Sequence, residues 1–217
     1  MIKSNVQTIL NEIKGGNNFG EKVTLVGATK FVPVENINEG ILAGLTDIGE
    51  NKAQEFRDKF SSVLKVNYHF FGRLQKNKIK YLIGKAYLIQ SVDSLELIDE
   101  IISQSVKANV VTNILLELNL GEEQKGGFSL DKISEVLEKY NGCENLKIKG
   151  FMAMLPDSTN EVLLTDLAKK VRAVYDEYRE KYNLIYLSMG MSNDYKIAIE
   201  NGSNMIRVGS KIFGRRY

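Results

Sequence analysis

Lys30 closes the run Val23-Thr24-Leu25-Val26-Gly27-Ala28-Thr29, and an amine at that position is a candidate nucleophile. The run is β-branched and apolar on both faces, the pattern of a strand buried on both sides in a parallel sheet. Pro33 falls in the first turn of the next periodic segment, Val34 to Ala43, where a missing N–H costs a helix nothing. Lys30 therefore sits where a strand hands over to a helix. Desolvation at such a site disfavours the ammonium and exposes the lone pair that Schiff-base chemistry requires. On position alone, a lysine that snorkels its head to water at the rim of the sheet competes with this reading.

A second set of residues points to an anion. Leu187-Ser188-Met189-Gly190-Met191-Ser192-Asn193-Asp194 ends a strand with glycine between two hydroxyls, and Ser192 stands where it would cap a helix beginning near Asp194. Such a turn aims backbone N–H groups and a positive helix end at a phosphate. Arg207-Val208-Gly209-Ser210 repeats the device, with Gly209 allowing close backbone approach and Ser210 adding a hydroxyl. Each turn alone is weak, since serines cap helices and glycines end strands everywhere. Arg207 lies within the strand itself, so its guanidinium points either inward to a ligand or outward to helices, charged in both cases.

The elements that must position these groups alternate along the chain. Strand patterns fall at Val23–Thr29, Asp47–Gly49, Tyr68–Phe71, Ala86–Gln90, Asn113–Asn119, Lys147–Met154, Ile185–Met189 and Asn204–Val208. Helical patterns lie between them at Lys52–Val63, Leu95–Val106, Leu130–Tyr140, Glu161–Tyr182 and Asp194–Asn201, several opened by Ser94, Ser129 and Ser192. About eight βα units in one domain spanning 1–217 is the count of a closed α/β (β/α)8 TIM barrel, although a doubly wound open sheet has the same spacing. Past Val208 too little chain remains for a full eighth helix, and the amphipathic segment Val6–Ile13 is expected to cover that gap. Barrel sites form at the C-terminal ends of strands, with phosphates on the last two loops. That face collects Lys30, Glu50, Asn51, His69, Gly72, Arg73, Ser91, Asn119, Met154 and the two turns above. Closure sets the first and eighth strands side by side, so a phosphorylated aldehyde would satisfy lysine and cradle together. Pyridoxal 5′-phosphate (PLP) is the common cofactor of that description.

Composition removes several other classes. Net charge is +2, from 29 basic and 27 acidic residues, so no global field marks a nucleic-acid or membrane binder. One cysteine, Cys143, cannot build a disulfide framework, and one histidine excludes multi-histidine zinc sites. No apolar stretch reaches the length of a membrane span, and a cytoplasmic monomer is the simplest expectation. The basic residues Arg73, Lys76, Lys78, Lys80 and Lys85 raise nucleic-acid binding as a rival. An apolar stripe of Ile79, Leu82 and Ile83 reads instead as a helix with a solvated basic face.

Seven segments then resemble one family. LVGATKFVP, DIGENKAQEF, YHFFGRLQKNKIKYL, IQSVDSLELIDEI, GEEQKGGF, KGFMAML and LSMGMSNDYKIAIENGSNMIRVGSKIFG look like those of the pyridoxal phosphate homeostasis proteins of the YggS type, in order and across nearly the whole chain. The resemblance implies an alanine-racemase-like barrel without that enzyme's second domain, holding PLP as an internal aldimine on Lys30. It implies phosphate contacts from Ser192, Gly209 and Ser210, Arg207 at the pyridine nitrogen, and Asn51 and His69 near the cofactor. It also implies a role in PLP supply, with apo PLP-dependent enzymes as candidate recipients, rather than an established turnover. A PLP-dependent amino-acid racemase is the alternative, and needs a proton donor opposite Lys30. The chain departs from the family pattern at Val32, where a second lysine is common, at Ser210 for threonine, and at Arg73 and Lys76. Lys125 matches a family lysine suspected of a secondary PLP contact, against the plainer reading of an exposed loop lysine. His69, beside Phe70 and Phe71 and with no second histidine, also fits a packed core residue.

Overall fold

The computed structural model describes residues 1–121 and 126–214. The β-branched runs become parallel strands: β1 (Thr24–Ala28), β2 (Asp47–Glu50), β3 (Asn67–Phe70), β4 (Leu88–Val92), β5 (Thr112–Asn119), the two-residue β6 (Phe128–Ser129), β7 (Leu146–Ala153), β8 (Tyr186–Ser188) and β9 (Met205–Val208). Eight of them close into a TIM barrel in the order β4-β3-β2-β1-β9-β8-β7-β5, sealed by pairing of β4 with β5, while β6 adds to the end of β5. At the first-to-last seam Val26 lies opposite Arg207 and Gly27 opposite Val208.

The helices are α1 (Ile2–Ile13), α2 (Val34–Leu42), α3 (Ala53–Lys59), α4 (Leu95–Ala108), α5 (Ile133–Tyr140), α6 (Glu161–Tyr182), α7 (Tyr195–Glu200) and α8 (Ser210–Phe213). Their apolar stripes and the outward face of the strands form the main core. A smaller core fills the barrel itself with Val26, Phe71, Leu88, Leu115, Met152 and Met205. The last helix is a single turn. As its stripe predicts, α1 buries Ile2, Val6, Ile9 and Ile13 and packs against α2 and α8. Asn5 Nδ2 donates to Ile212 O at 3.0 Å, which ties the N-terminal helix to that turn.

Three local expectations are corrected. The segment expected as a helix around Ile79 is a 3-10 turn, Lys76–Tyr81, a short connector that still buries Ile79 and, just after it, Leu82. Pro33 is the N-cap of α2 rather than part of its first turn. Ser94 and Ser129 occupy N-cap positions without side-chain capping bonds, whereas Asn160 Oδ1 accepts the Leu163 N–H at 3.1 Å.

Since α1 closes the wall beside the one-turn α8, its buried stripe should carry stability. Ile9→Ala is expected to lower the unfolding free energy by about 2–4 kcal/mol in a urea titration. Asn11→Ala, on the exposed face of the same helix, should stay within about 0.5 kcal/mol.

Candidate functional site

A cavity of about 410 Å³ opens at the C-terminal ends of the strands, within the roughly 300–1,000 Å³ typical of small-molecule sites. Its walls are Ala28 from β1, Asn51 after β2, Phe71 after β3, the loop 154–158 after β7, the loop 191–194 after β8, and Arg207, Gly209 and Ser210 at the end of β9. Five of the seven residues singled out from sequence, Asn51, Ser192, Arg207, Gly209 and Ser210, therefore meet at one cavity.

The two loops expected to face an anion adjoin there. Gly190 adopts φ +100, and a Cβ on it would lie 2.7 Å from Ala198 Cβ and 2.9 Å from Tyr195 Cα, so the turn after β8 requires glycine. Ser192 does not cap α7. Asp194, the N-cap residue, takes the Met191 N–H at 2.5 Å. Ser192 stands two residues ahead of that cap, and its hydroxyl instead accepts the Gly209 N–H at 3.4 Å, tying the β8 loop to the β9 loop.

Arg207 points inward. Its Nη1 donates to Ser188 O at 3.0 Å and to Ser188 Oγ at 2.6 Å, and Nη2 donates to Ala153 O at 3.0 Å. Burial pushes the guanidinium down to about 10, against the pull of Glu117 and Asp194, so it remains a cation at neutral pH. A buried cation that donates only can meet a ligand acceptor without exchanging a proton.

Lys30 follows β1 at the rim, half-buried, two residues beyond Ala28 of the cavity wall but not itself in the lining. Its Nζ lies 5.1 Å from the Phe31 ring centroid, and Lys52 Nζ lies 4.4 Å from the same ring. The backbone on both sides of Lys30 is held from α3. Lys59 Nζ donates to Thr29 O at 2.9 Å, to Glu50 Oε1 at 2.7 Å and to Glu55 Oε2 at 2.8 Å. Glu55 Oε2 also accepts the Phe31 N–H at 2.8 Å, and Phe31 sits at φ 60, a left-handed conformation rare for an aromatic residue. Burial raises the Glu50 carboxyl although Lys59 and Thr29 pull it down. Glu55 is held low despite burial, by Lys59 and the Phe31 N–H. Val32, where the family pattern often has lysine, is buried in the core.

Of the two readings open to His69, its surroundings are those of a packed interior residue. It is fully buried inside the barrel, away from the cavity lining. Both ring nitrogens are taken, Nε2 at 2.9 Å from Asp47 Oδ1 and Nδ1 at 2.9 Å from Gln90 Nε2, so it has no nitrogen to offer a ligand. Burial lowers its affinity for a proton, outweighing Asp47. Asp47 is itself held low, against burial, by bonds from His69, Thr46 and Asn67.

Lys125 lies outside the described residues. Arg73 and Lys76 are exposed and do not line the cavity. Among the described residues no cluster of three metal-ligating side chains occurs, and no helix is long and apolar enough to cross a membrane. Asp157, Ser158 and Asn193 in the cavity wall, and Asp47 and Gln90 in the barrel interior, are site residues beyond those that the sequence motifs single out. The Pro156-Asp157-Ser158 run after a strand is a turn signal, and Gln90 is an amide inside the otherwise apolar Leu88-Ile89, each of which could have flagged them.

The family model described as alanine racemase, N-terminal domain, matches residues 3–216. The pyridoxal phosphate homeostasis protein of Aquifex aeolicus is 42% identical over 197 residues, 88% of this chain and 86% of that protein. PipY of Synechococcus elongatus PCC7942, solved with PLP bound, is 24% identical with a TM-score of 0.87, covering 99% of this chain and 100% of that one. An alanine racemase of Clostridium difficile 630 shares the fold at 15% identity and a TM-score of 0.80, with 98% of this chain matching 60% of that one.

The buried, neutral His69 gives stability a pH signature. The folded chain leaves unbound a proton that the unfolded chain takes up below the ordinary histidine value of 6.5, so this contribution is complete above that pH and is lost as pH falls. Unfolding free energies measured from pH 7 to pH 5 are expected to fall, with a contribution approaching about 1.4 kcal/mol per pH unit. A His69→Gln variant should show a shallower slope over the same window.

Proposed function

Because the chain belongs to the pyridoxal phosphate homeostasis protein family, we propose that it binds PLP covalently through Lys30 as a Schiff base and serves intracellular PLP homeostasis without turnover of its own. The observation that carries this reading is the seam between β1 and β9, where Val26 pairs with Arg207 and Gly27 with Val208. It sets the Lys30 end of β1 beside the cavity edge formed by Arg207, Gly209 and Ser210.

The donor set fits the group. Ser192, Gly209 and Ser210 supply hydroxyl and backbone donors at one end of the cavity, at the start of α8, for a phosphate. Arg207 supplies a donor-only cation for the pyridine nitrogen, and Asn51 adds a polar side chain to the wall. Bound through a lysine, PLP supplies a reactive aldehyde carbon and a ring that can act as an electron sink. The ring's sink strength depends on protonation at its nitrogen. A guanidinium that keeps its own protons disfavours a pyridinium there, which suits holding the cofactor better than carbanion chemistry. Phe71, Met154 and Leu155 add apolar wall that limits water at the site. Release to apo-enzymes is the corresponding partner reaction, since an imine to lysine is reversible by transfer to another amine.

The racemase reading draws support from the alanine racemase description of the matching family model. It requires a proton donor on the face of the cofactor opposite Lys30.

Mixing the protein with PLP is expected to give a visible absorbance band that borohydride removes, with the reduced adduct mapping to Lys30 by mass spectrometry. Lys30→Ala should lose both. A wild-type protein that neither retains nor takes up PLP overturns the reading. In deuterium oxide, the PLP-loaded protein is expected to leave the α-hydrogens of a broad amino-acid panel unexchanged; incorporation of deuterium would put the racemase reading in its place.

A further inference from the structure

We propose that Ser188 and Gln90 are positioning residues for Arg207, acting through a one-way hydrogen-bond chain whose direction is set by His69 and Asp47. The inference rests on the reading that Arg207 faces the ring of bound PLP.

The chain crosses the barrel interior from β2 to β9. Asp47 Oδ1 lies 2.9 Å from His69 Nε2, His69 Nδ1 2.9 Å from Gln90 Nε2, Gln90 Oε1 2.7 Å from Ser188 Oγ, and Ser188 Oγ 2.6 Å from Arg207 Nη1. The chemistry of its two ends sets the polarity. A carboxylate only accepts, so His69 Nε2 carries the hydrogen, and in a neutral ring Nδ1 must then accept. Gln90 therefore turns its NH2 to His69 and its oxygen to Ser188. The serine hydroxyl donates to that oxygen, leaving its lone pairs for Arg207, which only donates. No link can reverse without leaving two donors or two acceptors face to face.

Burial gives the arrangement its force. His69, Gln90 and Ser188 are wholly buried, and Asp47 and Arg207 nearly so, so water does not compete and a mismatched pair would leave a polar group unsatisfied. Gln90 Nε2 is also 3.3 Å from Met205 Sδ, which occupies its second hydrogen. At the cavity end, Ser188 O, Ser188 Oγ and Ala153 O hold the guanidinium by Nη1 and Nη2. Among the described bonds, Nε–H and one Nη2 hydrogen remain for the cavity that Arg207 lines. His69, too far inside to touch a ligand, thus acts on the site through Gln90 and Ser188.

His69 is the sole histidine, so a long-range proton–nitrogen spectrum of the labelled protein reads its ring without ambiguity. The ligand-free protein is expected to show the neutral Nε2–H form. Gln90→Glu, which offers His69 Nδ1 only an acceptor, should put hydrogens on both ring nitrogens at pH 7. An Nδ1–H ring in the wild type, or an unchanged ring in Gln90→Glu, overturns the chain whatever occupies the cavity. With PLP, Ser188→Ala is expected to bind about tenfold more weakly and to shift the absorbance maximum of the bound cofactor, with circular dichroism matching the wild type. Unchanged affinity and maximum in a folded Ser188→Ala overturn the positioning role. Absence of a borohydride-trapped adduct in the wild type marks the separate failure of the cofactor reading, and removes the ring contact that the proposal serves.

Discussion

The pairing of β1 with β9 is the constraint on which the rest depends. These strands lie at opposite ends of the chain, and only barrel closure makes them neighbours, Val26 against Arg207 and Gly27 against Val208. In a sheet that ran in chain order without closing, the Lys30 end and the Gly209-Ser210 turn would sit on separate edges. Gly27 is small for a separate reason, packing outside the barrel: a Cβ there would lie 2.9 Å from Leu45 Cδ1 and 3.6 Å from the Phe213 ring. Helix α1 guards this junction from outside, because the one-turn α8 cannot cover it alone.

Inside the barrel, two kinds of filling share the space. Apolar side chains, Val26, Leu88, Leu115, Met152 and Met205 among them, pack as barrel interiors usually do. Threaded past them is a polar line with a carboxylate at one end and a guanidinium at the other. Neither charge could be buried alone without a penalty of several kcal/mol. Each is compensated by directed bonds, Asp47 from Thr46, Asn67 and His69, and Arg207 by Ser188 and Ala153. A second polar cluster, Lys59 with Glu50, Glu55 and Thr29, plays the same part outside the strands and holds the backbone around Lys30. It is less completely satisfied: among the described residues, Glu50 Oε2, Glu55 Oε1 and Tyr68 Oη have no hydrogen-bond partner.

Legibility followed the range of the interactions. Strands were readable because burial on both faces demands β-branched runs such as Val23 to Thr29, and α6 was readable to the residue, Glu161–Tyr182, from its long periodicity. The caps were less so. Serine at 192 looks like a cap by type, yet Asp194 holds the N-cap position, its carboxylate accepting the Met191 N–H, and Ser192 bonds Gly209 across to another loop. The apolar stripe Ile79, Leu82 and Ile83 suggests an α-helix, whereas the segment Lys76–Tyr81 is a 3-10 turn. His69 looked like a cofactor neighbour because its strand reaches the right face. Its position within β3 turns the ring into the barrel interior, toward Asp47 and Gln90.

The amino-acid sequence by itself determined the alternation of strands and helices, the amphipathic α1, the lysine at the end of β1 and the glycine-hydroxyl turns after the last two strands. These follow from side-chain periodicity and from the conformational needs of single residues, which act over a few positions of chain. Tertiary structure alone decided that Arg207 points inward, that Ser192 reaches Gly209, that Lys59 grips the loop around Lys30, and that Asp47, His69, Gln90, Ser188 and Arg207 form one line. Such choices depend on the register between strands distant in sequence, and on pairing every buried donor with an acceptor, and neither condition is written in any one segment.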